Sequence, residues 1–205
     1  MHLWPRGAMT DLLLIGCGGH ARSLIDLVES TGRWKLIGLI GHPEQVGSLI
    51  LGYKVIGSDA DLTKLRESCG HALLAVGQIG AASRRLSLAK SLEQLNFTSP
   101  TIISPHAIVS RHAKVGSGTT VGHGVIVNAA AEVGIHCIIN SAALIEHDVV
   151  IGDHCHISTG ALVNGGVKIG NSSFVGSGAM LREGLDLPPN TVISAGKRVM
   201  GWPLL

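Results

Sequence analysis

The chain contains very few aromatic residues: three Trp, two Phe and one Tyr, or 3% of 205 residues. Hydrophobic residues still make up 45%, so the apolar side chains are mostly small and aliphatic. Glycine is abundant, with 28 residues, but it follows neither the strict period of collagen nor the polar composition of a disordered chain. This composition favours a folded protein with a narrow interior and many tight corners.

Charge and long apolar runs are also scarce. The net charge is only +2, and the Lys and Arg residues form no basic stripe with interleaved aromatics, so we expect no nucleic-acid partner. No apolar run approaches the roughly 20 residues that a membrane helix needs, so we expect no membrane span. The opening MHLWPRGAMTDLLLIG lacks the apolar core of a secretory signal. Translation could begin at Met1 or at Met9, which directly precedes the first strand-like run.

The cysteines form no disulfide framework. There are four, with no CxxC pair among them: Cys17, Cys69, Cys137 and Cys155. Such spacing favours reduced thiols and predicts a cytoplasmic protein.

The second half of the chain repeats every six residues. Each sixth position is aliphatic at Ile103, Val109, Val115, Val121, Val127, Val133, Ile139, Ile145, Ile151, Ile157, Val163, Ile169, Val175 and Leu181. A mostly small residue follows four positions after each, and Gly often follows directly. Period six belongs neither to a helix nor to a simple strand, but it is typical of a solenoid in which each hexapeptide forms a short strand and a corner.

The repeat predicts which side chains point outward in the segment IEHDVVIGDHCHI, residues 145–157, which is rich in His, Asp and Glu. Three hexapeptides close one coil, so residues 18 apart should stack, and the phase turns His147 and Asp148 outward. The coil neighbours of His147 are then Ala129 and Gly165, which leave room for a bulky group above the imidazole. An inert surface histidine is the alternative interpretation, since Gly and Ala are common in such repeats.

The first half begins like a nucleotide-binding fragment. A buried parallel strand is predicted over residues 11–16, and the loop GCGGHA that follows fits G-x-G-x-x-G/A before an amphipathic helix. A glycine-rich turn at a helix N-terminus favours a phosphate or diphosphate. Further strands alternating with helices predict a small parallel α/β domain.

The usual acid of a dinucleotide site is missing. It should follow the second strand, where this chain reads Gly41-His42-Pro43 with Glu44 as the nearest carboxylate. A phosphate-bearing substrate is therefore favoured over a dinucleotide, and a purely structural loop is the alternative. His20 is either a phosphate donor or a surface residue at the helix start.

A GxGGHA domain joined by TSPTIISPHAIVS to a hexapeptide solenoid resembles the bacterial sugar O- and N-acetyltransferases that modify sialic acid or nucleotide-linked amino sugars for surface glycans. The resemblance rests on five segments of the chain: CGGHA, GYKVIGSD, AVGQ, SPHAIVS and INSAALIEHDVVIGDHCHISTGALVNGGVKIG. It implies a Rossmann-like α/β domain over residues 9–100 and a left-handed parallel β-helix over residues 101–205. It also implies a homotrimer that binds acetyl-coenzyme A in the groove between two prisms.

The resemblance further implies roles for individual residues. His147 would be the general base, Asp148 would orient it, His156 would contact acetyl-coenzyme A, and the Gly165 N–H would face the thioester oxygen. The nucleotide-sugar pocket would include Gly18, Gly19, His20 and Gly77. Imidazole suits the base role because its pKa near 6.5 allows it to take a proton near neutrality.

The acceptor and two rival functions stay open. Members of this family that act on uridine-diphosphate sugars carry acidic residues near Gly41 and His42, so another nucleotide sugar or a free sugar is an alternative acceptor. Acetylation at oxygen and at nitrogen are both compatible with the motifs. A metal-dependent hydratase similar to the gamma-class carbonic anhydrases would need three shared histidines, whose spacing His147, His154 and His156 do not reproduce, so no metal is expected. A non-catalytic binding module is the other rival.

Overall fold

A computed structural model describes residues 9–203, so the choice between Met1 and Met9 as the start lies outside the described residues. The chain divides into two compact units. The first contains the chain up to Gly77 together with Arg85–Pro100, and the second contains Gln78–Arg84 together with the chain from Thr101 onward. The short segment Gln78–Arg84 thus packs with the second unit although it lies within the first half of the sequence.

The first unit is a five-stranded α/β fold. Its elements are β1 (Thr10–Ile15), α1 (Gly19–Thr31), β2 (Trp34–Gly41), β3 (Leu49–Ile50), β4 (Tyr53–Ser58), α2 (Leu62–Ser68), β5 (Ala72–Leu74) and α3 (Ser83–Gln94), with short 3-10 helices at Pro43–Gln45 and Asp59–Asp61. The sheet order is β3-β4-β2-β1-β5, and all pairs are parallel except β3 with β4.

The central strand β1 is apolar because it is buried inside this unit. Leu12, Leu13 and Leu14 are fully buried, as the continuous apolar run DLLLIG predicted. Helix α1 turns Leu24, Val28 and their neighbours inward at helical spacing. The α/β domain expected from the sequence is confirmed.

The second unit is a β-helix of two-residue strands. They are β6 (Ile102–Ile103), β7 (Ile108–Val109), β8 (Lys114–Val115), β9 (Thr120–Val121), β10 (Ile126–Val127), β11 (Glu132–Val133), β12 (Ile138–Ile139), β13 (Leu144–Ile145), β14 (Val150–Ile151), β15 (His156–Ile157), β16 (Leu162–Val163), β17 (Lys168–Ile169), β18 (Phe174–Val175), β19 (Met180–Leu181), β20 (Asp186–Leu187), β21 (Val192–Ile193) and β22 (Arg198–Val199).

These strands form three parallel sheets of six, five and six strands, in which each strand pairs with the strand 18 residues away. The predicted stacking distance and the left-handed parallel β-helix class are therefore confirmed. The repeat continues further than expected, through Leu187, Ile193 and Val199, all of which are buried. The core is a column of small aliphatic side chains, which explains the low aromatic content.

Ile103 departs from the expected inward pattern. Its exposed fraction is 38%, whereas Val121, one coil further on, is fully buried. Ile103 begins the first coil and no earlier coil covers it within the unit. At the other end Trp202 packs against the core.

Two cysteines 18 residues apart stack in this core, as the repeat predicts for residues at that spacing. Cys137 and Cys155 are buried and free, and the Cys155 N–H donates to Cys137 Sγ at 3.4 Å. Their thiols donate to the carbonyls of Gly152 and Gly170. They behave as small buried residues with satisfied polar atoms.

Glycines at the corners have two different causes. At the third corner residue the backbone is left-handed at each corner from Gly118 to Gly196, for example at Gly166 with a φ of 67°. Gly directly after a strand is required for a different reason. A Cβ on Gly116 would lie 2.6 Å from the carbonyl carbon of Gly134 in the next coil, so the close approach of two backbones excludes a side chain there. A left-handed turn conformation therefore does not explain the glycines that directly follow a strand.

Candidate active site

His147 stands on the corner that joins β13 to β14. Its side chain is 65% exposed, and its Nδ1 lies 2.8 Å from Oδ2 of Asp148. A carboxylate only accepts hydrogen bonds, so the neutral imidazole carries its proton on Nδ1 and leaves Nε2 as the proton acceptor. The pair therefore has the tautomer that a general base needs.

The corner itself holds this pair in place. Asp148 adopts a φ of 60°, a left-handed conformation that Asp tolerates better than most residues. Its N–H donates to the Ala129 carbonyl in the preceding coil, and the Gly166 N–H donates to the His147 carbonyl from the next coil. The β-helix thus fixes the backbone on both sides of the imidazole.

Glu146 adds a contact that sequence reasoning did not identify. Its Oε2 accepts from Asn128 Nδ2 at 2.9 Å and lies 3.4 Å from the His147 N–H. Asn128 and Glu146 are 18 residues apart, so the stacking rule could have suggested the pair. Together they tie the backbone of the base to the preceding coil.

The imidazole lies over Gly165. A Cβ on Gly165 would sit 2.8 Å from both Cε1 and Nε2 of His147, closer than real carbon contacts allow. The side-chain-free patch predicted from the sequence is therefore occupied by the ring itself. The Gly165 N–H donates to no acceptor among the described residues.

His156 is placed differently from the exposed pair. It is 6% exposed, its Nδ1 lies 2.6 Å from the Gln78 carbonyl oxygen, and its Nε2 lies 3.4 Å from Asn140 Nδ2. Its ring meets the Phe174 ring edge-on with centroids 5.2 Å apart. Its contact with acetyl-coenzyme A stays a prediction.

The glycine-rich loop forms the open start of α1. Gly16 has a φ of 123°, and a Cβ there would lie 2.8 Å from the Ala75 backbone, so no other residue fits. Gly18 caps α1 without a side-chain hydrogen bond, and Cβ atoms on Gly18 or Gly19 would meet nothing within 4 Å. The space beside these two glycines at the helix start is therefore open, as an anion site requires.

His20 and Gly77 complete this region of the first unit. A Cβ on Gly77 would lie 3.6 Å from the Cβ of His20, so the turn after β5 passes beside the first turn of α1. The four residues expected to bind the nucleotide sugar, Gly18, Gly19, His20 and Gly77, are thus brought close to one another. Their binding role stays a prediction.

A glutamine joins the loops after β1 and β2. Gln45 Oε1 accepts from the His42 N–H at 2.9 Å and from the Cys17 thiol at 3.1 Å. Gly41 is required nearby because a Cβ there would lie 2.6 Å from Cys17 Sγ. Sequence reasoning missed this contact between the loops after β1 and β2, since its partners are 28 residues apart.

Two further properties concern the described part of the chain. No group of three or more His, Cys, Asp or Glu residues within 9–203 is arranged to hold a metal ion. Over the same residues, no helix has the length and apolar character needed to cross a membrane.

Comparisons with known proteins agree with this architecture. Residues 11–92 match the family model described as the PglD N-terminal domain. A perosamine N-acetyltransferase variant from Caulobacter crescentus, solved with CoA and GDP-perosamine, is 29% identical with a TM-score of 0.86, over 95% of this chain and 91% of that one. The acetyltransferase domain of PglB from Neisseria gonorrhoeae, solved with acetyl coenzyme A, is 28% identical with a TM-score of 0.83, over 92% and 90%. A search of curated proteins finds no match.

The chain is an acetyltransferase of the hexapeptide-repeat class. Two findings define this class: the β-helix with its exposed His–Asp pair, and the similarity along nearly the whole chain. Within this class the chain is a sugar acetyltransferase whose residues 11–92 match the PglD N-terminal domain. The family and the enzyme class inferred from the sequence are confirmed.

Proposed function

We propose that the protein transfers the acetyl group of acetyl-coenzyme A to the amine of a nucleotide-linked amino sugar, with His147 as the general base. The observation that carries this proposal is the 2.8 Å contact from His147 Nδ1 to Asp148, which leaves Nε2 to accept a proton. The similarity to an enzyme solved with CoA and GDP-perosamine supports the donor and the acceptor class.

The reaction needs one base that later acts as an acid. As the amine nitrogen attacks the thioester carbonyl, Nε2 of His147 takes the proton that this nitrogen loses. The carbon–sulfur bond then breaks, and the imidazolium returns the proton to the departing thiolate of coenzyme A. Asp148 stabilises the imidazolium between these two steps because its carboxylate faces Nδ1.

The oxygen of the tetrahedral intermediate needs a donor, and Gly165 is suited to supply it. Its N–H has no acceptor among the described residues, and a Cβ added to it would lie 2.8 Å from Nε2 of the imidazole. A donor aimed at a developing oxyanion is worth about 3–4 kcal/mol of the barrier in other acyl-transfer enzymes.

The glycine-rich start of α1 is proposed to bind the diphosphate of the acceptor. Helix α1 is 13 residues long and has no acidic residue in its first turn, so its positive end is not neutralised by its own side chains. Gly18 and Gly19 have no side chain and open space beside them, and Gly77 lies next to His20, whose imidazole is the proposed side-chain donor.

We further propose a cytoplasmic homotrimer whose acetyl-coenzyme A sites lie between protomers. The four free cysteines support a reducing compartment. One outward face of the β-helix supports the trimer, because it exposes a row of aliphatic side chains 18 residues apart that includes Ile108 and Leu162. The resemblance implies that His156 contacts acetyl-coenzyme A, and we keep this contact as one proposed role of the residue.

The test is a thioester-cleavage assay against a panel of nucleotide-linked amino sugars, including GDP-perosamine, and sialic acids. We expect turnover with an amino sugar and a fall in kcat of at least ~100-fold for His147→Ala, the usual scale for a general base. A matched control is His112→Ala at another exposed corner, for which we expect unchanged turnover. Near-normal turnover of His147→Ala would contradict the base assignment, and turnover restricted to hydroxyl acceptors would contradict N-acetylation.

A further inference from the structure

A positive charge is buried in the first turn of helix α3. Arg85 is 2% exposed, although its neighbour Leu86 on the same helix is 38% exposed. Arginine is rarely buried this deeply unless its guanidinium has partners, because removing the charge from water is costly. No step of the proposed acetyl transfer uses Arg85, so its burial needs another explanation.

The guanidinium of Arg85 binds the backbone just after β5. Its Nη1 donates to the Val76 carbonyl oxygen at 2.5 Å. The chain leaves the first unit after Gly77 and rejoins it at Arg85, so this bond connects the two ends of the departing segment within the first unit. An ionised donor makes a stronger hydrogen bond than a neutral one. Arg85 therefore restrains the turn after β5 at the point where the chain leaves the sheet.

The turn that Arg85 restrains packs against the glycine-rich loop after β1. The Ala75 N–H donates to the Ile15 carbonyl at 2.7 Å, which aligns the turn with the end of β1. A Cβ on Gly16 would lie 2.8 Å from the Ala75 carbonyl carbon and 2.9 Å from Val76 Cγ2, so the two segments are already in close contact. Both follow the carboxyl ends of adjacent parallel strands, the edge at which α/β sheets bind ligands. A displacement of Val76 would therefore also displace the glycine-rich loop.

We propose that Arg85 is a positioning residue for the diphosphate of the acceptor, which acts by holding the Val76 carbonyl and thereby the turn beside the glycine-rich loop. This proposal rests on the proposed function, in which that loop and the start of α1 bind the diphosphate. Arg85 is buried too deeply to contact the acceptor itself, so its effect passes through the backbone of Val76 and Gly77. Gly77 extends the effect to His20, whose Cβ lies 3.6 Å from the position of a Cβ on Gly77.

Two substitutions at Arg85 test the bond to Val76. Methionine keeps an apolar stem without any donor, whereas lysine keeps a charged donor. We expect Arg85→Met to raise the KM for the acceptor about 10-fold, the equivalent of about 1.4 kcal/mol, and Arg85→Lys to raise it only about 3-fold. In both variants kcat and the KM for acetyl-coenzyme A should change less than about 2-fold. Lys90→Met, at an exposed cation of the same helix, is the matched control and should leave every parameter unchanged.

A purely structural role of Arg85 would give a different pattern. A variant that only lowered the fraction of folded enzyme would lower kcat and leave both KM values unchanged, and this result would overturn the proposal. An equal rise of the acceptor KM in Arg85→Lys and Arg85→Met would overturn it as well, because the donor to Val76 would then not matter. If Arg85→Met does not fold, Arg85→Lys decides alone: a raised acceptor KM at constant kcat supports the proposal, and an unchanged acceptor KM overturns it.

Calorimetry separates this proposal from the proposed function. Titrations use GDP, UDP and coenzyme A with the full-length wild type, both Arg85 variants and Lys90→Met. If the wild type turns over no amino sugar, the proposed function fails, yet weaker binding of a nucleoside diphosphate by Arg85→Met, with coenzyme A binding unchanged, would still support the positioning role. Equal nucleotide affinities of the wild type and Arg85→Met, or no nucleotide binding by the wild type, would refute it.

Discussion

At the scale of single residues, the site depends on one imidazole and the groups that orient it. Asp148 selects the tautomer of His147, Gly165 supplies the surface beneath the ring, and Glu146 ties down the backbone. The stacking rule placed Gly165 beside His147, but the close contact with Cε1 and Nε2 of the ring depends on the side-chain conformation.

The carboxylate of Asp148 should contribute less than the base itself. Both side chains are about two-thirds exposed, so solvent weakens the interaction between them. We expect Asp148→Asn to lower kcat about 10-fold, because Asn still accepts from Nδ1 but no longer stabilises the imidazolium. Steady-state kinetics beside His147→Ala measure this, and a larger loss for Asp148→Asn than for His147→Ala would contradict the supporting role.

The missing side chain of Gly165 should matter through His147. In Gly165→Ala the new methyl would stand 2.8 Å from the ring, so the imidazole must move. We expect kcat to fall about 10- to 100-fold, on the scale of a misplaced catalytic group.

A double-mutant cycle with His147→Ala tests the cause of that fall. If Gly165→Ala acts only by moving the ring, it should have no further effect once the ring is removed. An equal loss in the His147→Ala background would instead assign the effect to the oxyanion site.

At the scale of elements, the β-helix corners decide which residues are replaceable. A Gly directly after a strand touches the backbone of the next coil, whereas the left-handed corner position at Gly160 and Gly166 has nothing within 4 Å of an added Cβ. The repeat made both sets visible in the sequence, but their different causes appear only when the coils are stacked.

Two corner substitutions should therefore differ in stability. Gly116→Ala would place a Cβ 2.6 Å from the Gly134 backbone, and we expect a loss of about 1–3 kcal/mol from overpacking. Gly160→Asn is the control, because its site has a φ of 65° that Asn tolerates and nothing within 4 Å of the new Cβ. Chemical denaturation measures both, and equal losses would contradict the close-approach explanation.

At the scale of the whole molecule, the outward faces of the β-helix differ in polarity. One face carries Lys114, paired at 2.7 Å with Glu132, followed by Val150 and Lys168. Another face presents Ile108, Leu144 and Leu162 in the same outward positions. The proposed trimer would cover the apolar face and leave the charged one in water.

Leu162 and Val150 test this arrangement because they are 38% and 40% exposed. We expect sedimentation equilibrium to show three times the 21.3 kDa chain mass for the wild type and for Val150→Glu. Leu162→Glu should shift the mass toward the monomer and lower activity with it. A monomeric wild type with full turnover would contradict a site shared between protomers.

The sequence alone determined the parts of this protein that depend on periodicity. Fourteen aliphatic residues at one spacing defined the β-helix and turned His147 and Asp148 outward, because each hexapeptide repeats the same local geometry. The strand, Gly-rich turn and helix at the start of the chain were readable because each follows from a short local pattern of residues.

The tertiary structure decided contacts between residues that no repeat relates. The bond from His156 to Gln78 spans 78 positions, and the one from Cys17 to Gln45 spans 28. Each depends on where a loop returns after leaving its sheet, and that path depends on packing across the whole unit. Local sequence does not encode it, so only the folded chain brings these groups together.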